Sequence, residues 1–150
     1  MPRLRPPRPD ELYALSALCL RSKAHWGYDA AFLAACRPEL TLTETDLHET
    51  DLIVADLAGR PAGLAQISRG MEPADLMKLF VDPPHIGTGL GRTLFDWATA
   101  TARAQGAARL TIEADPGAQG FYQAMGATQT GWAPSGSIPG RRLPLLELKL

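Results

Sequence analysis

Three glycines at alternate positions, Gly87, Gly89 and Gly91, separate the apolar run from Met77 to Val81 from a helix-like run that reaches Gln105. Asp82-Pro83-Pro84 stops strand pairing before the glycines begin. Glycines at this spacing allow backbone angles barred to other residues and leave the amides open to an anion. The same turn opens a helix, whose first four N–H groups lack internal partners and whose dipole favours negative charge. A pyrophosphate is the natural guest of such a turn. The residues around the glycines narrow the choice. Gly91 is followed by Arg92-Thr93, where a P-loop needs Lys and then Ser or Thr, so ATP and GTP are disfavoured. A dinucleotide fingerprint needs GxGxxG near the first strand, whereas this turn is GxGxG in mid-chain, so NAD is disfavoured as well. A glycine-rich helix start with no ligand explains the three glycines equally well, and the rest of the chain has to decide.

The chain of 150 residues suits one domain, expected to span residues 1–150. A net charge of −1 gives no positive field to gather a phosphate backbone, so nucleic acid is not expected as a partner. Cys19 and Cys36 lie in apolar helical segments without metal-ligand spacing, so buried free thiols are expected and no metal. No apolar run approaches the ~20 residues of a membrane span, and the start, Met1-Pro2-Arg3-Leu4-Arg5, leads into prolines rather than a secretory apolar stretch. The expected address is cytoplasmic, away from membranes.

Periodicity predicts a short strand at Arg3 to Arg5 and a helix capped by Asp10 that ends before Gly27. A second helix is expected from Asp29 to Cys36, stopped by Arg37-Pro38. Leu52 to Leu57 and Ala62 to Ile67 flank Ala58-Gly59-Arg60-Pro61 as a hairpin, followed by a strand from Leu76 to Val81. The helix from Gly89 to Gln105 shows an apolar stripe of Leu90, Leu94, Trp97, Ala98 and Thr101. A strand over Arg109 to Ala114, a helix from Ala118 to Met125 and strands near Thr128 to Trp132 and Leu143 to Leu148 complete the chain. This order predicts an α/β (α+β) fold with a mixed central sheet of six to seven strands and helices on both faces. The strand-helix-strand unit makes its two strands parallel, and ligands sit beyond their carboxyl ends, near Val81 and Ala114.

The run from Leu79 to Leu94 resembles the acetyl-CoA signature of the GCN5-related N-acetyltransferases, in which a strand and proline precede Gln/Arg-x-x-Gly-x-Gly/Ala. Ile86 stands where that family usually has Gln or Arg. The run from Asp115 to Ala127 resembles the family's second signature, Asn-x-x-Ala-x-x-Phe-Tyr, with Gly117 near the usual Asn. The resemblance implies the acyl-CoA N-acyltransferase architecture, acetyl-CoA as co-substrate and an amine acceptor. It implies that Leu79, Phe80 and Val81 pair with the pantetheine arm, with an N–H near Phe80 or Val81 polarising the thioester carbonyl. Ile86, Gly87, Thr88, Gly89, Leu90, Gly91 and Arg92 would then seat the phosphates.

Amide synthesis from a thioester needs a neutral amine, a stabilised oxyanion and a proton for the departing thiolate. Tyr122 matches the family tyrosine near the coenzyme sulfur and is expected to be the general acid, though Phe121 and Tyr122 also read as core aromatics of a short helix. Glu113, near a strand end beside the cofactor, is the candidate base, with Asp75, Glu72 and His25 behind it. His25, Trp26 and Tyr28 lie between the first two helices, where the family's acceptor site commonly borders, and Ser135 and Arg141 lie in the long turn between the last two strands. All five are candidate acceptor contacts, and both segments also read as an ordinary interhelix corner and an exposed loop. The acceptor is expected to be a small-molecule or peptide amine, reached by direct transfer in a ternary complex. A coenzyme-sensing module without turnover explains the glycine turn too, and a homodimer is compatible with the small size.

Overall fold

The computed structural model describes residues 2–150. Ala58 and Gly59 take left-handed angles, φ +53° and +85°, which match the twist of a two-residue hairpin turn. They join β2 (Asp51–Leu57) to β3 (Arg60–Ile67) as foreseen. β1 (Arg3–Arg5) pairs with β2, and β4 (Ala74–Val81) pairs with β3, all antiparallel. β5 (Arg109–Glu113) lies parallel to β4, while β7 (Arg142–Lys149) joins β5 and β6 (Thr128–Pro134) antiparallel. The result is one seven-stranded mixed sheet in the order β1-β2-β3-β4-β5-β7-β6. Strand alternation gives each face its own apolar set.

On one face, α1 (Leu12–Ala24) and α2 (Ala30–Leu40) bury Leu15, Leu18, Cys36 and Leu40 against Val54 and Leu64. On the other, α4 (Leu90–Ala104) and α5 (Gln119–Ala124) cover Leu76, Leu110 and Ile112. A fully buried leucine contributes roughly 1.5–3 kcal/mol by leaving water. α4 buries Phe95 and Ala102 beside Leu90, Leu94 and Ala98, so the apolar stripe runs through Phe95 rather than Thr101. Cys19 and Cys36 are buried free thiols.

Three local readings differ from the sequence analysis. Asp10 sits inside a 3-10 turn, Pro9–Glu11, and α1 starts after it at Leu12, so Asp10 is not its cap. α2 passes through Pro38 to Leu40, because burying Leu40 outweighs the bond lost at the proline nitrogen. The Thr41 hydroxyl donates to the Arg37 carbonyl at 2.7 Å, satisfying a group the helix end would otherwise orphan. A third short helix, α3 (Glu44–Glu49), begins at a reciprocal cap between Thr43 and Asp46. Among the described residues, no helix is long and apolar enough to cross a membrane.

The first strand is tied to the first helix by buried charge. The Arg5 guanidinium donates to both Glu11 carboxylate oxygens and to Asp56, each at 2.8 Å. The Arg8 amide also donates to Glu11. The Arg5 hydrogen bonds hold Glu11 well below the ordinary glutamate value of 4.5, at about 2, against the opposing effect of burial. Glu11 therefore contributes stability that is fully present above about 4.5 and lost as pH falls towards about 2. Glu11→Ala is expected to lower unfolding stability by about 2–3 kcal/mol at neutral pH, with a smaller loss at pH 3, measured by urea denaturation.

Candidate functional site

β4 and β5 pair only at Ala74–Leu110, Asp75–Thr111 and Leu76–Ile112. Beyond Leu76 the two strands diverge, and residues 78–81 keep a partner only in β3. The register of β3 against β4 shifts at this level, leaving Met77 as the extra residue of a β-bulge, a feature that bends a strand and re-aims its side chains. The Asp82 amide donates to the Ala62 carbonyl at 2.8 Å, on the β3 side. Amide directions alternate along a strand, so the Phe80 amide faces β3 as well, and those of Leu79 and Val81 face the open wedge. Of the two N–H groups named from the resemblance, Val81 has the free direction and Phe80 does not.

The wedge opens into a cleft of about 890 Å³. One end is the glycine turn. Gly87 and Gly89 have φ +82° and +88°, and Gly89 forms the left-handed start of α4 without any side-chain cap. The first intrahelical bond runs from the Thr93 amide to the Gly89 carbonyl, so the amides of Leu90, Gly91 and Arg92 have no helical partner. A Cβ on Gly91 would stand 3.3 Å from the Phe121 ring, so this glycine keeps α4 close to α5. Ile86 and Arg92 also line the cleft, whereas the Leu90 side chain is buried in the core and the Thr88 hydroxyl donates to the His85 carbonyl at 2.5 Å.

At the middle of the cleft lies Tyr122, its ring buried against Phe95 and Phe121. It is both a core aromatic and a cleft residue. Burial, reinforced by the Asp115 charge, pushes its phenol well above the usual range, so it stays protonated through neutral and alkaline pH. Asp75 and Glu113 point to the opposite face of the sheet from Tyr122, and both line the cleft. Burial raises the Asp75 carboxyl, and burial together with the charges of Asp75 and Glu39 raises that of Glu113. The cleft thus carries open amides at one end, a protonated phenol in its middle and acidic groups on the far wall.

A model of the acetyltransferase (GNAT) domain matches residues 17–133. The chain belongs to the GNAT family. Its fold matches a GCN5-related N-acetyltransferase from Rhodopseudomonas palustris at 26% identity and TM-score 0.82, over 100% of this chain and 96% of that one. The PaiA N-acetyltransferase from Thermoplasma acidophilum, solved in complex with coenzyme A, is similar at 16% identity and TM-score 0.82, covering 100% and 99%. YncA from Salmonella typhimurium, a putative acetyltransferase solved with acetyl-CoA, matches at 18% identity and TM-score 0.69, covering 99% and 94%. Acetyl-CoA fits this GNAT cleft as co-substrate: the turn is clear of side chains at Gly87 and Gly89, and the adjoining strand edge is unpaired.

The remaining candidates divide. Trp26 lines the cleft, while His25 is exposed at the end of α1 and touches the cleft only through its contact with Trp26. Tyr28 and Arg141 are engaged with each other, the Arg141 Nη2 donating to the Tyr28 hydroxyl at 2.7 Å, and neither lines the cleft. The Ser135 hydroxyl accepts from the Ser137 and Ile138 amides and holds its own loop together. Glu72 accepts from the Ala108 amide at 2.8 Å, at the far end of β5, and is removed from the reaction centre. Sequence reasoning missed Glu39, Asp46 and Lys78, which line the cleft from α2, α3 and β4. Lys78 donates to the buried Gln66, which in turn donates to Asp46 and Thr50, a chain of contacts with no local sequence signal. Counted back from Phe121-Tyr122, the family pattern's Asn falls on Asp115, two residues before Gly117, and the space a side chain on Gly117 would need is filled by the Trp26 ring.

Gly89→Ala forces a Cβ onto a left-handed helix start and is expected to cost about 1 kcal/mol, lowering Tm by about 2–4 °C in a thermal melt without ligand.

Proposed function

We propose that this GNAT chain is an N-acetyltransferase that moves the acetyl group of acetyl-CoA directly to a primary amine. The observation that carries this reading is the divergence of β4 from β5, which joins the glycine turn, Tyr122 and the Asp75–Glu113 wall in one cleft. The amides of residues 87–92 hold the phosphates at the start of α4, and Arg92 adds charge where Ile86 supplies none. The unpaired edge of β4 receives the amide-rich arm of the coenzyme, and the Val81 N–H donates to the thioester oxygen as negative charge develops there. Tyr122 keeps its proton to alkaline pH and delivers it to the thiolate that leaves.

Glu113 takes a proton from the incoming ammonium, directly or through water, so that the neutral amine attacks the thioester carbon. Its raised pKa brings it nearer the operating range of a base than an ordinary glutamate. No protein thiol carries the acetyl group: Cys19 and Cys36 are both buried in the core between α1, α2 and the sheet, and burial pushes the Cys19 thiol up to about 12. The acidic wall of Glu39, Asp46, Asp75 and Glu113 favours amines that arrive as cations. A coenzyme sensor explains the glycine turn but has no use for a phenol and a base facing each other across a strand gap.

The deciding experiment is release of coenzyme A thiol from acetyl-CoA across a panel of amines; a rate no amine raises above water would sink the reading. Tyr122→Phe is expected to lower kcat by about 100-fold while coenzyme A affinity in calorimetry stays within about twofold. Because the Glu113 base works only when ionised, the rate should rise with pH through its elevated pKa, and Glu113→Gln should flatten that limb. An unchanged acidic limb would remove Glu113 from the role.

A further inference from the structure

The carboxylate of Asp115, just past the end of β5, is 10% exposed and gathers groups from four segments of the fold. Lys23 Nζ at the end of α1 and the Tyr28 hydroxyl between α1 and α2 each donate to its Oδ2 at 2.8 Å. The Gly117 amide, in the turn leading to α5, donates to its Oδ1 at 2.9 Å. Arg141, from the loop between β6 and β7, bonds to Tyr28, stands 3.8 Å from Asp115, and lies over the stacked rings of Tyr28 and Phe32. These bonds hold the carboxyl below the usual aspartate range although burial opposes ionisation.

Trp26 lies in the chain between Lys23 and Tyr28, both anchored to this one carboxylate. Its ring lies on Gly117 so closely that a Cβ there would stand 2.7 to 3.0 Å from three of its carbons, contacts a structure does not tolerate. Its other surface is free: the residue is 44% exposed and lines the cleft that also contains Tyr122. Gly117 stands five residues before Tyr122 on the same turn and helix, so whatever fixes Trp26 on Gly117 also fixes Trp26 relative to the phenol.

We propose that Asp115 is a positioning residue that clamps Trp26 onto Gly117, and that the clamped indole is the wall that selects among acceptor amines. Its apolar face favours an amine whose carbon stem packs against the ring beside the reacting nitrogen, and the absent side chain at residue 117 makes room for that wall. This inference rests on the acetyltransferase reading above.

The test uses Gly117→Ala, Trp26→Ala, the double variant, Asp115→Asn and Asp115→Ala in the full chain, with methylamine, n-butylamine and phenethylamine as probes. Indole quenching by acrylamide reports the clamp without any turnover: Gly117→Ala and Asp115→Ala should raise the quenching, and neither should do so once Trp26 is removed. In thiol release, Trp26→Ala and Gly117→Ala should each shift the kcat/KM ratio of phenethylamine to methylamine by about tenfold, with the KM for acetyl-CoA within about twofold. The double variant should add nothing to Trp26→Ala, as expected of two residues acting through one contact. Asp115→Asn, which still accepts from Tyr28 and Gly117, should lie between wild type and Asp115→Ala. Additive effects, an unchanged amine ranking or an equal loss in acetyl-CoA KM would overturn the proposal, and Tm values identify any variant that fails to fold. A clamp seen by quenching with no amine-dependent turnover in the wild-type protein would instead sink the enzymatic reading, and this inference with it.

Discussion

Everything at this site depends on two parallel strands that stop pairing after three residues. A sheet normally satisfies its backbone groups by continuous ladders, and an unpaired row in the middle of a sheet is costly unless something else bonds to it. β4 is held by β3 from Leu76 to Val81 except at the bulged Met77, and β5 by β7 along its length, so neither strand frays where they separate. The gap is therefore a fixed part of the architecture. Its open N–H and C=O groups at Leu79 and Val81 can bond water or an amide-bearing arm, and the bulge at Met77 sets where the opening begins.

The gap also explains how opposite chemistries meet. Alternation along β4 and β5 sends Ala74, Leu76, Leu110 and Ile112 into the core beneath α4, and Asp75, Thr111 and Glu113 to the other face. In a closed sheet these faces would never share a cavity. Where the strands part, the phenol carried by α5 on one face and the carboxylates on the other line the same space. Each group's proton affinity rises because of its own surroundings: Tyr122 because it is packed among aromatic rings, and Glu113 because it is partly buried beside other acids. Under the proposed mechanism the shift at Glu113 favours its work, since it binds protons more readily, whereas that at Tyr122 keeps the donor protonated while weakening it as an acid.

How much was legible in the sequence follows from how local each signal is. The glycine turn, the hairpin at Ala58-Gly59 and the amphipathic α4 are written in neighbouring residues, and all three form as read. Pro38 misled because local stiffness lost to the burial of Leu40, a tertiary effect. α3 carried a readable cap in Thr43 and Asp46, hidden by a polar stretch with no apolar period. The site's far wall was out of reach for a different reason. Glu39, Asp46 and Lys78 reach the cleft only through long-range packing, and no local pattern marks them as lining it. Arg141 shows the converse: its residue type suggested an anion site, but its partners proved to be Tyr28 and Asp115.

The departure at residue 86 and the bare backbone at residue 117 become intelligible in the same terms. A turn that offers three open amides and a helix dipole already holds an anion, so a charged side chain at residue 86 adds to a site rather than creating it. Ile86 gives up that addition, and Arg92, in the first turn of α4, keeps a positive charge on the same cleft. Gly117 is a feature of another kind. Removing a side chain from an exposed turn gains nothing in itself and loosens the unfolded chain. It makes sense only beside Trp26, whose ring takes the vacated volume and excludes water from it, while Asp115 supplies the bonds that keep the two segments together. The bare backbone at residue 117 is thus coupled to the placing of an apolar ring on the wall of the cleft, five residues along the chain from Tyr122.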